Sequence, residues 1–135
     1  MRLTVVCKNK LTEDQSQHLA RRIAAPEHKN DRGPIRVWDD YTAYLYAFIH
    51  IASNTPIAIA EASGRPCPTP GWWIDSQFRG QGLGNEVVDL LAEQLKVEGV
   101  TALKRIPIDT YCSVYDEASS KLAKRMHAHF KMGRA

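Results

Sequence analysis

Cysteine is scarce in this chain: Cys7, Cys67 and Cys112 are the only three in 135 residues, odd in number and far apart. Such spacing suggests neither a disulfide framework nor a zinc site, and no metal is expected. No apolar run approaches the ~20 residues of a membrane span, and the opening MRLTVVCKNKLTEDQ is too short in apolar residues for a secretory signal. A reducing cytoplasm is the expected location. Neither sign of charge dominates. A net charge of +3 suits an anionic ligand but falls well short of a nucleic-acid footprint. Internal repeats and low-complexity segments are absent too. What is present, 44% hydrophobic and 24% charged residues, is enough for one domain, 1–135, with its own core.

Periodicity divides the chain into alternating elements. Arg2 to Cys7 reads as a strand, and Thr12 opens a helix, because Thr12-x-x-Gln15 is a capping box and Leu19, Ala20, Ile23 and Ala24 recur at helical spacing. Pro26 ends it, and Glu27 to Asp40 reads as a loop. From Ala43 to Ile51 apolar residues alternate with Tyr44, Tyr46, Phe48 and His50, as in a strand covered on both faces. Ser53-Asn54-Thr55-Pro56 supplies a turn, and Pro56 to Ala62 returns as the second arm of a hairpin, with Ile57, Ile59 and Glu61 expected on one face. Three prolines between Gly64 and Pro70 argue against a ladder there, so the next strand is expected over Gly71 to Asp75. A helix follows from Gly84 to Glu98, with Val87, Val88, Leu91 and Leu95 inward and Gly99 as its stop. Leu103 to Thr110 reads as a strand and Asp116 to Phe130 as the last helix.

The junction at residues 71–99 carries the chemistry. A strand passes through Arg79-Gly80-Gln81-Gly82-Leu83-Gly84 into an amphipathic helix, so the backbone can turn and approach a ligand closely. First-turn amides have no intrahelical acceptor, and with the helix dipole they favour a phosphate or pyrophosphate. A P-loop would need Lys-Ser or Lys-Thr after the glycines, and a dinucleotide fingerprint starting at Gly82 would need glycine where Val87 stands.

The hexapeptide resembles the Q/R-x-x-G-x-G/A signature of the GNAT superfamily of N-acetyltransferases. Element order agrees over nearly the whole chain. The resemblance implies a mixed α/β fold of the acyl-CoA N-acyltransferase type, a central sheet with two splayed strands, and acetyl-CoA as cosubstrate. It implies a cofactor site at Arg79, Gly80, Gln81, Gly82, Leu83, Gly84 and Asn85, with the preceding strand, Trp72, Trp73, Ile74 and Asp75, gripping the pantetheine arm through its main chain. The acceptor is an amine, on a small molecule or a protein, that the residues do not name. The family usually adds two closing strands after the last helix. Only five residues follow Phe130, so these strands are expected to be missing and a second copy of the chain is a candidate to complete the sheet.

Direct transfer needs a base for the acceptor ammonium and a proton for the leaving thiolate. Glu61 is the first candidate for the base, because partial burial among isoleucines would raise its pKa. Asp75 and His50 are weaker choices. In the family a tyrosine of the last helix often protonates the thiolate. The matching run, Asp116-Glu117-Ala118-Ser119-Ser120-Lys121-Leu122-Ala123, has alanine at that position. Tyr111 and Tyr115, just upstream, are the substitutes, and Ser119 is a donor to the cofactor. The absent tyrosine motivates an alternative, a catalytically weak acyl-CoA-binding protein that regulates a partner. The basic last helix motivates a third, an enzyme acting on nucleic acid.

Overall fold

The computed structural model describes residues 2–31, 35, 38, 44–63, 68–104 and 117–133. Strand β1 is Leu3–Cys7, helix α1 Glu13–Ile23, and strands β2, β3 and β4 are Tyr44–His50, Thr55–Ser63 and Thr69–Ile74. Helix α2 is Leu83–Val97, strand β5 Ala102–Lys104, helix α3 Glu117–Ala128 and strand β6 Lys131–Gly133. The first four strands form one antiparallel sheet in chain order, and β5 and β6 form a separate parallel pair.

Local signals fix several of these boundaries. Thr12 Oγ1 accepts from the Gln15 amide at 3.1 Å and Gln15 Oε1 accepts from the Thr12 amide at 3.0 Å, so α1 starts on the expected reciprocal cap. At the other end of the fold, α2 stops where Gly99 takes a φ of +90°.

Two hydrophobic layers clasp the sheet. On one side Val87, Val88, Leu91 and Leu95 of α2 bury against Tyr46, Phe48, Ala58, Ala60 and Ala62, with Met126 and Phe130 closing the edge. On the other side Leu19 of α1 packs with Trp38, Leu45, Ala47, Ile59 and Trp73. The doubly covered β2 expected from its pattern is therefore present.

Three expectations change. Ile57 does not share a face with Ile59 and Glu61: the register skips between Phe48 and Ile49, so Ala58 opposes Phe48, Pro56 opposes Ile49, and Ile57 is the extra residue of a bulge. It turns into the α2 layer while Ile59 faces α1. Pro70 lies inside β4 and opposes Ala62, because β4 is an edge of its sheet among the described residues and one outward position needs no ladder amide. Finally, a strand does follow the last helix. Three residues suffice for a ladder, Ala102 to Lys131 through Lys104 to Gly133, although nothing so short has a periodicity to read. Residues 105–110 of the expected fifth strand lie outside the described residues.

Candidate functional site

The loop between β4 and α2 is built from glycines that serve different purposes. Gly80 and Gly82 take φ of +76° and +77°, where a side chain is strained. Gly84 is helical and is needed for space: a Cβ there would meet Leu122 Cδ1 at 3.0 Å and Ile74 Cδ1 at 3.5 Å. The expected run of three turn-making glycines is thus two turn glycines and one contact where α3 rests on α2. Gly82 is the N-cap of α2 and supplies no capping side chain. The first-turn amides of Leu83, Gly84 and Asn85 are left for an anion, at the positive end of the helix dipole. Leu83 itself is buried in the core, so any part it takes in binding is through its main chain.

Strand β4 sets the other half of the site. The Asp75 amide donates to the Ile57 carbonyl at 2.8 Å, which fixes the alternation along the strand. Asp75, Trp73 and Gly71 turn their main-chain groups toward β3, and Ile74, Trp72 and Pro70 turn theirs away from it. Pro70, which has no amide, is on the outward set. The Ile74 carbonyl on that side accepts from Arg79 Nε at 2.8 Å. Between β4 and β5 no ladder forms among the described residues, and residues 105–110, where the expected fifth strand continues, lie outside them.

This register gives two of the expected cofactor-binding residues other partners within the fold. Trp73 has its main chain in the ladder and its buried indole Nε1–H donates to Asp31 at 2.8 Å. Asp75 has its amide on Ile57, its carbonyl accepting from the Phe78 amide, and its carboxylate accepting from Arg22 and the Gln77 amide. Both residues hold the loop in place. Ile74 and Trp72 are strand residues whose main chain faces away from β3.

A polar latch, which sequence reasoning missed, ties the segment after α1 to this loop. Arg22 donates from Nε and Nη2 to the two Asp75 oxygens at 2.7 and 2.9 Å, with Asp75 only 1% exposed. Burial pushes the Asp75 carboxyl up, but the Arg22 and Gln77 hydrogen bonds prevail and hold it below its ordinary value. Buried His28 accepts from the Ser76 amide at Nε2, 3.1 Å, so its proton is on Nδ1 and is donated to the Arg22 carbonyl at 2.6 Å. Ser76 Oγ–H donates to Glu27, and Arg79 Nη2 donates to Asp31 at 2.8 Å. Partners stand up to 53 positions apart, and no local pattern announces them.

Three other carboxyls are also depressed, Glu27 chiefly by the hydrogen bond from Ser76. The Asp89 carboxyl is lowered chiefly by Arg125; at Glu86 partial burial raises the carboxyl, and the hydrogen bonds from Arg2 and Leu3 outweigh it. A group depressed in the folded state stabilises the fold above its unfolded pKa and loses that contribution as pH falls through the folded value. The melting temperature is therefore expected to hold from neutral pH to about 5 and to fall steeply below about 4. A melting temperature unchanged down to pH 3 would contradict these pairings.

Glu61 lies in the middle layer, 8% exposed, opposite Leu45 on β2 and Gly71 on β4. At about 3.3 Å per strand residue, Gly71 is roughly 10 Å along β4 from Ile74. His50 is at the far end of β2, with Nδ1 3.0 Å from Ser53 Oγ in the hairpin turn. Ser119 lies in α3, and Tyr111 and Tyr115 lie outside the described residues. A cavity of about 320 Å³ bordered by Cys7, Tyr46 and Glu98 is at the C-terminal end of α2. Fifteen helical residues, about 22 Å, separate it from the glycine loop.

No protein-family model matches the sequence, and no curated protein sequence does. Among solved structures the fold is similar to that of a Vibrio cholerae protein put forward as a ribosomal-protein-serine acetyltransferase. The TM-score is 0.61 at 16% identity, over 93% of this chain and 79% of that one.

Proposed function

We propose that this chain, whose fold is that of the GNAT acetyltransferases, binds acetyl-CoA at the β4–α2 junction and transfers the acetyl group to an acceptor amine. The observation that carries the reading is the uncapped α2 N-terminus, entered through two left-handed glycines directly after β4. The diphosphate takes the amides of the first turn, and the pantetheine arm runs along β4 from Ile74. Gly80, Gln81 and Asn85 form the exposed rim, and the guanidinium of Arg79 borders it. Bound this way, the thioester carbonyl lies along β4 in the direction of Gly71 and Glu61.

In the transfer step the amine nitrogen attacks the thioester carbonyl carbon. The carbon–sulfur bond breaks, and the CoA thiolate takes a proton. Glu61 takes the proton of the acceptor ammonium, directly or through water, Tyr111 or Tyr115 gives one to sulfur, and the second proton shed by the acylated nitrogen restores the phenol. Glu61→Gln is expected to lower turnover by about a hundredfold while acetyl-CoA affinity stays within about twofold. A pH–rate profile that overlays the parent's would place the base elsewhere.

Release of free thiol from acetyl-CoA in the presence of an amine panel tests the reaction itself. The neighbour's name adds a ribosomal protein to that panel. Thiol release that requires an acceptor supports transfer. Binding of acetyl-CoA with no release under any acceptor would favour a regulatory acyl-CoA-binding protein instead.

A further inference from the structure

The acetyl-CoA reading gives the diphosphate to main-chain amides, and one cation beside them has no part in it. Arg2 precedes β1, 79 positions from the loop, yet its Nη1 donates to the Gln81 carbonyl at 2.8 Å. Its Nε donates to Glu86 Oε2 at 2.8 Å, and its own main-chain amide donates to Glu86 Oε1 at the same distance. The residue is anchored at both ends, and its side chain is still half exposed. Those bonds leave Nη2, which lies 3.4 Å from the point where a Gly82 side chain would begin.

We propose that Arg2 is the side-chain cation of the anion site and contacts the CoA diphosphate through Nη2, a role that rests on the acetyl-CoA reading above. Three observations converge on it. Arg79, the cation that the glycine loop itself supplies, has Nε on the Ile74 carbonyl and Nη2 on Asp31. Glu86 places a carboxylate in the first turn of α2, where a bound phosphate would be repelled unless that charge is paired. Arg2 pairs it, and with the fork fixed by two acceptors the remaining donors are directed without further loss of side-chain freedom. The glycine at 82 keeps the space between guanidinium and loop clear.

Calorimetric titration of the full chain with CoA, dephospho-CoA and pantetheine tests the role. Arg2→Ala is expected to weaken CoA and dephospho-CoA alike, by about tenfold to a hundredfold as for a charge-assisted contact, and to leave pantetheine unchanged. Arg2→Lys is expected to recover part of the loss. The double variant Arg2→Ala/Glu86→Gln separates contact from neutralisation: it remains weak if Arg2 touches phosphate, and parent affinity in it would overturn the proposal. A loss confined to CoA would assign Arg2 to the 3′-phosphate and also overturn it. An equal loss for pantetheine would reduce Arg2 to a brace between β1 and α2. If the parent binds CoA and Arg2→Ala binds it equally, the role of Arg2 fails alone; if the parent binds no CoA, the acetyl-CoA reading fails and this role with it.

Discussion

Gly82→Asp is expected to abolish measurable CoA binding, a loss of at least about a hundredfold for charges placed some 4 Å apart in a partly desolvated site. The substitution acts from within. Aspartate is among the best N-cap residues, so the introduced carboxylate would take the first-turn amides that the phosphate needs. It would also begin 3.4 Å from Arg2 Nη2 and compete for the nearby cation. The same capping offsets part of the strain at φ +77°, so the variant is expected to remain folded. Gly82→Ala is the control: it carries the strain without the charge and is expected to bind CoA far better than the aspartate variant. Gly84→Asp is no equivalent test, because bulk there meets Leu122 and disturbs the contact between α2 and α3. Titration of the two Gly82 variants by calorimetry decides the matter, and equal affinity in both would remove the anion from this helix end.

Asp75→Ala is expected to destabilise the fold by about 3 kcal/mol, as the loss of one partner of a buried ion pair does. It would leave Arg22, 17% exposed at its side chain, without its bidentate acceptor, and the Gln77 amide without its cap. For a domain of this size the melting temperature falls by about 10 °C. Arg125→Ala is the comparison. It breaks the Asp89 pair, also bidentate, but 45% and 37% exposed at its side chains. Solvent screens such a pair, and it contributes far less than a buried one. Thermal unfolding of the two variants side by side should separate them clearly, and equal melting temperatures would mean that the latch does not hold the loop.

The parts of this fold that the sequence made legible are those whose cause is local. A capping box acts over three residues, a glycine loop over six, and the apolar stripe of α2 over four turns, so Thr12, Gly82 and Val87 through Leu95 announce themselves. What stayed hidden depends on partners distant in the chain. Nothing near Asp75 marks Arg22 as its partner, and nothing near Arg2 points to Gln81 or Glu86. The bulge at Ile57 was hidden for a related reason: strict alternation assumes an unbroken register, and the skip is visible only when β2 lies alongside. Pro70 misled because a proline argues against a ladder in general, while its actual cost depends on whether its nitrogen faces a neighbour. At the candidate site, composition located the glycine loop correctly but could not tell inward from outward amides on β4. One hydrogen bond, Asp75 to Ile57, assigns that parity and shows the main chain of Trp73 and Asp75 turned toward β3.

The most direct test of the account is a calorimetric titration of the unmodified chain with acetyl-CoA and with CoA. The account predicts one saturable site for each, with affinity that weakens as ionic strength rises because the diphosphate supplies much of the attraction. Absence of binding to both, in a chain shown to be folded, would contradict the assignment of the β4–α2 junction as a CoA site.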